Sequence, residues 1–304
     1  MSAAAPSTSL VVCTYRRPAL LCRLLESVVA QRDLPEDFEV LVVDNASGDD
    51  TAARVEAFAD RLAVRCLHEA RQGKSHALNT GLRAADGDLL LLTDDDVRLD
   101  PTWVAAFVSA ARAAPDAWWF GGRVVPDWPD GAPPRWLADA GLGPLAGYFG
   151  QYDLGDEPRP YRADDPLPVG ASMAVRRTLV EAIGGFRTDL GPRGEALGGT
   201  GDDTEFVGRA AAAGRGGRYV PAARCLHHVG RERLGFRSVW RYGLGKGANR
   251  HRMGLPGDAS LTRVVEQAAR GLVQALGGRT DRARICALNA GMALGHRRAR
   301  RETR

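Results

Sequence analysis

The sequence predicts an α/β protein whose mostly parallel β-sheet is flanked by helices and followed by a helical C-terminal extension. Short apolar runs with the length of buried strands alternate with segments of helical spacing, which is typical of parallel sheets covered on both faces. Polar residues directly follow three of the runs, and ligands of such sheets lie beyond the carboxyl ends of the strands. These polar segments begin at Thr14, Asp44 and Asp94.

The first third of the chain shows this pattern most clearly. Pro18 starts a stretch in which leucine and valine recur at helical spacing, and Gly48 lies in a turn before the second helix. Strands are predicted at residues 10–13, 40–43, 62–67 and 89–93, and helices directly after Pro18 and at 51–61 and 76–85.

The pattern is looser after Pro101. A Pro- and Gly-rich stretch at 126–168 is too long for a simple connection, so we expect a functional loop region there. From Phe236 onward the chain is predicted to be helical, and it is basic. Extended segments are predicted at 118–120, 124–125, 169–175, 219–220 and 224–226, and helices at 179–183 and 204–213.

Composition and charge limit the class of protein. The 304 residues are 44% hydrophobic and 26% charged, which fits a globular protein and excludes a disordered or fibrous chain. The net charge of +4 fits partners that bear phosphate, and an arginine-rich composition explains it equally well.

The cysteines indicate a reducing compartment, because their number, five, is odd and no two are spaced C-x-x-C. The N-terminal sequence lacks the pattern of a signal peptide, and no apolar run has the length that spans a bilayer. We therefore expect a cytoplasmic protein.

Three consecutive carboxylates, Asp94, Asp95 and Asp96, follow the fourth strand. They repel one another unless a positive group neutralises them, and a hard divalent cation does so through oxygen ligands. Such a cation also stabilises a leaving diphosphate. Strand alternation places Asp94 and Asp96 on one side and Asp95 on the other. The sequence therefore favours a metal site over a solvated acidic turn.

Four other polar positions each leave two interpretations open. Asp44 can accept a hydrogen bond from a nucleotide or from its own turn. Lys74 begins a helix that can hold phosphate, although His68 stands where a P-loop needs glycine. Asp203 lies in a carboxylate cluster at a helix start, where acids act as a general base or as caps. His227, followed by a second histidine, can complete a metal site or be half-buried.

The order of these motifs resembles that of family 2 glycosyltransferases of the GT-A fold, which is Rossmann-related and, in this inverting type, common in bacteria. Any one motif is weak evidence, whereas all of them in order are specific. The resemblance extends in register from about residue 8 to 250. The matching segments are 11–18, 42–47, 73–79, 93–97, 168–173, 184–186, 201–205 and 227–229.

The resemblance implies a donor site for a nucleoside-diphosphate sugar. Thr14, Tyr15 and Arg16 would line the nucleotide pocket, and Asp44 would hold the base. The remaining positions of this donor site would be Asn45, Lys74, Asp94 and Asp95.

The resemblance also implies a divalent metal, Mn²⁺ or Mg²⁺, and a catalytic base. Asp94 and Asp96 match the Asp-x-Asp pair, with Asp96 as the direct ligand, and His227 would lie near the metal with His228 as the alternative. Asp203 would deprotonate the acceptor hydroxyl.

Two departures from the family pattern affect these assignments. Asp202 replaces the more common glutamate, which leaves the base open among Asp202, Asp203 and Glu205. His76 and Ala77 stand where many members carry an arginine, so contact with the diphosphate falls to Lys74 or elsewhere.

The activity implied is transfer of a sugar, by a single displacement with inversion, to the hydroxyl of a glycan, lipid-linked or small-molecule acceptor, as in polysaccharide biosynthesis. No activated nucleophile is evident, and none is required. Residues 1–235 would form the GT-A catalytic domain, with a nucleotide-binding half at about 1–100 and an acceptor half at 101–235, and 236–304 the basic helical extension.

Two further groups of residues have open roles. The basic C-terminal helices either contact an anionic membrane peripherally, at the inner face of the cell membrane, or form a solvated tail. Aromatic residues in the long loop region either stack on sugar rings or pack locally, namely Trp128, Trp136, Tyr148, Phe149 and Tyr152.

Two other classes of protein are alternatives. A sugar-phosphate nucleotidylyltransferase usually needs a glycine-rich loop after the first strand, where residues 14–18 contain no glycine. A non-enzymatic nucleotide- or nucleic-acid-binding protein would fit the basic pI of about 8.9. It would leave the Asp94–Asp96 cluster unexplained, because phosphate backbones repel it, so no nucleic-acid partner is expected.

Overall fold

The computed structural model describes residues 6–134, 137, 143–193, 201–257 and 260–303. Their contacts divide the chain into two compact units. The first comprises Met1–Pro126, Gly150–Thr188 and Asp203–His228, and the second Asp127–Phe149, Asp189–Asp202 and Val229–Arg304. The second unit therefore includes two segments that precede residue 236, whereas the sequence predicts one boundary at residue 235.

The first unit is built on one nine-stranded sheet in the order β3-β2-β1-β4-β8-β6-β9-β5, with β7 beside β9. The strands are β1 (Thr8–Thr14), β2 (Phe38–Asp44), β3 (Val64–His68), β4 (Leu89–Asp94), β5 (Val97–Leu99), β6 (Trp119–Asp127), β7 (Arg159–Pro160), β8 (Met173–Arg176) and β9 (Gly217–His228). The helices are α1 (Pro18–Val29), α2 (Thr51–Glu56), α3 (Lys74–Ala84), α4 (Trp103–Ala113), α5 (Arg177–Ile183) and α6 (Asp202–Ala212).

The prediction of a parallel sheet is confirmed for β1 to β4, which pair in parallel. The strands that follow add antiparallel pairs of β8 with β4 and β6, and of β9 with β5 and β7. Segments predicted separately are joined, because 119–120 and 124–125 belong to β6, and 219–220 and 224–226 to β9. The sheet is therefore mixed, and its parallel half carries Thr14, Asp44 and Asp94 of the predicted site at the ends of its strands.

Apolar alternation within the strands creates a core on each face of this sheet. Leu10 and Val12 of β1 pack in one cluster with α1 and α4, while Val11 between them packs in the other with α3 and α6. On the α3 side a Cβ placed on Gly81 would lie only 2.4 Å from the Val11 side chain. Glycine thus lets α3 approach the sheet closely, and this fixes Lys74 at its N-terminus.

The second unit is helical. Its helices are α7 (Phe236–Arg252), α8 (Leu261–Leu276) and α9 (Thr280–Glu302), preceded by short 3₁₀ turns at Gly143–Tyr148 and Arg231–Leu234. A separate core unites α7 and α9 with Tyr148 and Phe149. Among the described residues, no helix is both long and apolar enough to cross a membrane.

Candidate functional site

The carboxyl ends of the parallel strands bring three predicted residues together. Thr14 at the end of β1 is in register with Asp44 at the end of β2, and Asp94 on β4 is in register with Cys13. The polar residues that follow the strands in sequence are therefore neighbours at one edge of the sheet.

Asp94, Asp96 and His227 form a potential metal-binding cluster. One ligand atom from each residue lies within 4.8 Å of the others. His227 comes from the end of β9, which pairs with β5 directly after the acidic turn, so that Val97 faces His227 in the register. The His227 Nε2 atom is 3.5 Å from Asp96 Oδ1, and the ring is buried.

Gly150 makes room for this histidine. Its φ is +75°, a conformation that favours glycine, and a Cβ placed there would lie 2.7 Å from the His227 ring. Nothing in the sequence pattern indicated Gly150 as part of the site, because its contact with His227 is made only in the fold.

Two cations lie among the carboxylates. The Lys74 ammonium contacts Asp94, and both side chains are half-buried. The guanidinium of Arg17 lies 3.2 Å from Asp95 and 3.0 Å from Asp96. Sequence reasoning missed Arg17, although it lies within a matched motif, because no spacing rule connects it to acids almost eighty residues away.

Asp95 shares the Arg17 guanidinium with Asp96 but also bonds to Thr14. Its carboxylate is buried and accepts a hydrogen bond of 2.7 Å from the Thr14 hydroxyl. Burial raises the pKa of Asp95 to about 6, and the charge of Asp96 adds to this increase. Asp95 and Thr14 thus connect β4 to β1 beneath the cluster, while Asp94 and Asp96 lie near His227.

The segment after β1 is held against the turn after β2. The Arg16 backbone, with a φ of +52°, donates from its N–H to Ser47 Oγ at 2.9 Å, and its side chain donates to the Ser47 carbonyl at 3.1 Å. Asp44 accepts from the Ser47 N–H at 3.1 Å. The Arg16 guanidinium lies 5.2 Å from the centre of the half-exposed Tyr15 ring. These contacts hold Arg16 and Asp44 to the same turn residue, Ser47.

Asn45 is buried, and its side chain holds the loop that leads to Lys74. Its amide nitrogen donates to the carbonyls of Glu69 and Arg71, at 3.1 and 2.7 Å, and its oxygen accepts from the Gly73 N–H at 2.7 Å. The amide therefore fixes the start of α3.

Asp203 lies close to Lys74. Its Oδ2 atom accepts a hydrogen bond of 2.7 Å from the Gly170 N–H. A Cβ placed on Gly170 would lie 3.5 Å from Lys74 Nζ and 3.6 Å from that same Oδ2. The Asp203 carboxylate and the Lys74 ammonium therefore both border Gly170, and Lys74 in turn contacts Asp94.

The other two acids of α6 have different surroundings. Glu205 accepts a hydrogen bond of 2.8 Å from Arg209, whose guanidinium also donates to the carbonyls of Ile183 and Gly185. Asp202 is buried, with only 4% of its surface exposed. Of the three carboxylates left open by the sequence, only Asp203 shares a point of contact with Lys74 among the described contacts.

The aromatic residues of the long loop region pack locally. Tyr148, Phe149 and Tyr152 are buried, and Trp128 lies 5.1 Å from the Phe149 ring. Sugar stacking by the three buried rings is therefore contradicted, because they have no exposed face. Trp136 lies outside the described residues.

The donor atoms at the acidic turn fit a divalent cation. Two carboxylates and one imidazole supply the hard oxygen and nitrogen ligands that Mn²⁺ accepts. The three carboxylates Asp94, Asp95 and Asp96 also outnumber Lys74 and Arg17, the lysine and arginine with which they form described ion pairs, and His227 adds positive charge only when protonated. A cation at Asp94, Asp96 and His227 would compensate the remaining negative charge.

Comparison with known families identifies the family of the chain. The family model described as glycosyl transferase family 2 matches residues 9–180, which is more than half of the chain. The chain belongs to this family. The matched range includes β1 to β4, the acidic turn and Lys74, and it ends before Asp203 and His227.

Two curated relatives carry transferase names. The chain is 28% identical over 193 residues to a glucosyl-dolichyl phosphate glucuronosyltransferase of Haloferax volcanii, covering 62% of this chain and 58% of that protein. It is 39% identical over 112 residues to a validoxylamine A glucosyltransferase of Streptomyces hygroscopicus subsp. limoneus, covering 36% of this chain and 24% of that protein. The chain thus spans less than two thirds of the length of either relative.

A solved structure shares the fold over almost the whole chain. It is a mannosyltransferase from Pyrobaculum calidifontis in complex with GDP-Man and Mn²⁺, with a TM-score of 0.61 at 21% sequence identity. The match covers 94% of this chain and 87% of that one. The predicted GT-A-like fold is therefore confirmed.

Proposed function

We propose that this protein is a metal-dependent, inverting glycosyltransferase that moves a sugar from a nucleoside-diphosphate sugar to an acceptor hydroxyl. One observation carries the proposal, namely the ligand atoms of Asp94, Asp96 and His227 within 4.8 Å of one another. Lys74, which contacts Asp94, and Asp203, which borders Lys74, add a diphosphate-binding cation and a carboxylate base to the same edge of the sheet.

The donor is held by groups on both sides of Asp94. Asp44 and the adjacent Tyr15 and Arg16 bind the nucleoside, since a carboxylate, an aromatic ring and a cation suit a base and a ribose. Lys74 binds and orients the diphosphate. Asn45 affects donor binding indirectly, because its amide positions the loop before Lys74. Asp94, Asp96 and His227 would hold a divalent cation, which would supply positive charge to compensate the negative charge of the leaving diphosphate.

Asp203 performs the proton transfer. The acceptor oxygen forms a bond to the anomeric carbon as the bond from that carbon to the diphosphate oxygen breaks, and the bonding electrons leave with the diphosphate. The hydroxyl proton passes to the Asp203 carboxylate, which the Gly170 N–H holds in place. Attack opposite the leaving group inverts the anomeric configuration.

The acceptor belongs to one of three chemical classes: a glycan, a lipid-linked sugar or a small molecule. The name of the Haloferax relative favours a lipid-linked sugar, and that of the Streptomyces relative favours a small molecule. Nucleotidylyl transfer has no support from the described site, and the family match opposes it.

Thermal unfolding tests the proposal directly. The melting temperature is measured with UDP, GDP and dTDP, each with Mn²⁺, with Mg²⁺ and with EDTA. We expect one diphosphate to raise it only with metal, and Asp96→Ala to abolish this increase, while the exposed control Asp60→Ala keeps it. If no diphosphate changes the melting temperature with either metal, the proposal is wrong.

A further inference from the structure

The helix α8 of the second unit exposes its apolar residues. The exposed fractions of Val265, Leu272, Val273 and Leu276 are 64%, 63%, 65% and 81%. Val265, Leu272 and Leu276 have the spacing i, i+7 and i+11, so they form a stripe along one side of the helix. An exposed patch of this kind marks a contact surface.

Part of the polar side of the same helix is turned inward, although the charged residues Arg263, Glu266 and Arg270 are exposed. Gln267 is only 4% exposed, and a Cβ placed on Gly271 would lie 3.2 Å from Cys286 of α9. In a surface helix of a water-soluble protein the apolar side normally faces the core. α8 has the reverse orientation, so the surroundings of its outer face are expected to be apolar.

The charge of this part of the chain indicates what those surroundings are. Residues 229–304 contain 17 lysines and arginines and 5 acidic residues, a net charge of +12. The preceding 228 residues have the remaining 24 basic and 32 acidic residues, a net charge of −8. Positive charge is therefore concentrated in the part of the chain that contains the exposed apolar helix, including Arg279 and Arg282 close after it.

We propose that the apolar stripe of α8 docks on the surface of an anionic lipid bilayer. Val265, Leu272 and Leu276 enter the boundary between headgroups and acyl chains, as the apolar side chains of interfacial helices do. Arginines that follow the helix, such as Arg279 and Arg282, contact lipid phosphates, because their long side chains reach the headgroups. A second copy of this chain would be repelled by the same +12 charge, which favours lipid over self-association.

Vesicle binding of the full chain tests this inference without reference to catalysis. The protein is sedimented with vesicles of phosphatidylcholine alone and of phosphatidylcholine mixed with phosphatidylglycerol, at low and raised salt. We expect binding to the mixed vesicles only, weakened by salt. Leu272→Gln/Leu276→Gln should reduce the partition coefficient roughly a hundredfold, since two large apolar groups no longer enter the lipid.

Two further double variants separate the apolar and electrostatic contributions to vesicle binding. Ala53→Gln/Ala59→Gln changes exposed positions of the first unit and should bind like the native chain. Arg279→Gln/Arg282→Gln should reduce binding roughly tenfold or more through lost charge. If the native chain does not bind the mixed vesicles, or if Leu272→Gln/Leu276→Gln binds as well as the native chain, the inference is wrong.

Two measurements keep the inference testable if a glutamine variant folds poorly. The first is the fluorescence of Leu272→Trp, from which the emission of the native chain is subtracted. The remaining tryptophan emission should shift to shorter wavelength when mixed vesicles are added. No shift would overturn the inference. The molar mass of the protein without lipid is also measured by light scattering. A native dimer that Leu272→Gln/Leu276→Gln converts to a monomer would overturn the inference as well.

Discussion

At the scale of single residues, Asp203 and Glu205 are two acids in the first turn of one helix, and we expect them to have different roles. Asp203→Asn should lower kcat by about a hundredfold or more, because an amide cannot accept the acceptor proton and general bases contribute at least this factor. Release of nucleoside diphosphate from the sugar donor measures this effect. Donor affinity should change little, since the variant keeps the shape of the side chain.

Glu205→Gln is the matched control for this prediction. Glu205 is paired with Arg209, so its loss should lower the melting temperature and leave kcat almost unchanged. Equal kcat for Asp203→Asn and the native protein would show that another group takes the proton.

Gly150 supports a second residue-scale prediction, since it leaves room for the His227 ring. Gly150→Ala should weaken Mn²⁺ binding, because its Cβ would displace the imidazole, and should destabilise the protein by about 1–2 kcal/mol from backbone strain alone. Titration of Mn²⁺ by paramagnetic resonance measures the first effect.

Gly131→Ala separates strain from displacement. Gly131 has a φ of +74°, close to the +75° of Gly150, and a Cβ there would have no neighbour within 4 Å. It should be destabilised by strain and bind Mn²⁺ normally. Equal Mn²⁺ affinity in the two variants would show that His227 does not bind the metal.

At the scale of elements, the segment between β3 and α3 depends on the buried amide of Asn45. Asn45→Ala removes three hydrogen bonds and should reduce the free energy of unfolding by about 2–3 kcal/mol. It should also raise the Kd for the nucleoside diphosphate, since Lys74 is no longer fixed. Isothermal calorimetry measures this Kd.

Asn79→Ala provides a comparison within α3 itself. The Asn79 amide donates to the Phe186 carbonyl and accepts from the Phe186 N–H, each at 2.8 Å. Its loss should lower stability and leave the Kd unchanged. If both variants changed the Kd alike, the effect of Asn45 would be one of general stability.

The loop before α3 also predicts an acid-dependent contribution to stability. Hydrogen bonds from Arg71 hold the pKa of the buried Glu69 carboxyl well below its usual range. Because this pKa is lower in the folded state, Glu69 stabilises the protein above its unfolded pKa of about 4.3, and this stabilisation is lost as pH falls further.

Glu69→Gln should therefore flatten the decline of the unfolding free energy between about pH 5 and pH 3, measured by urea titration at each pH. The pair of Glu26 with Arg61 is solvent-exposed, so Glu26→Gln should have a smaller effect. An unchanged slope in Glu69→Gln would contradict the prediction.

The elements that the sequence predicted are those with local signals. Apolar runs identified β1 to β4 because buried parallel strands need continuous apolar residues. α4 was missed even though its buried residues, Trp103, Val104, Phe107, Val108 and Ala111, recur at helical spacing. Helix α2 ends at Glu56 rather than at 61, where the chain instead forms turns.

The site was predictable to the extent that its residues follow strands. Asp94 and Asp96 were found from their position, and His227 from the resemblance, and the structure brings the three together. Arg17, Gly150 and Gly170 reach the site through long-range packing. Such contacts depend on the register between distant segments, which no local pattern contains.

At the scale of the whole molecule, each unit has its own core, and the proposed donor groups all belong to the first. Within the second unit α7 and α9 pack closely through glycines. A Cβ on Gly247 would lie 1.9 Å from the Met292 carbonyl oxygen, and one on Gly295 equally close to that of Leu244. The second unit therefore depends on glycine at these positions.

Gly247→Leu should separate α7 from α9 and destabilise the second unit by about 1–3 kcal/mol or more, the usual cost of overpacking. Binding of nucleoside diphosphate with Mn²⁺ should persist, because Asp94, Asp96, His227 and Lys74 lie in the first unit. Hydrogen exchange resolved by peptide should show faster exchange in α7 and α9 with unchanged protection of β1 and β4.

Thr262→Leu, at an exposed position of α8, is the control and should leave both units protected. Loss of diphosphate binding in Gly247→Leu at a temperature where β1 and β4 stay protected would mean that the donor site needs the second unit.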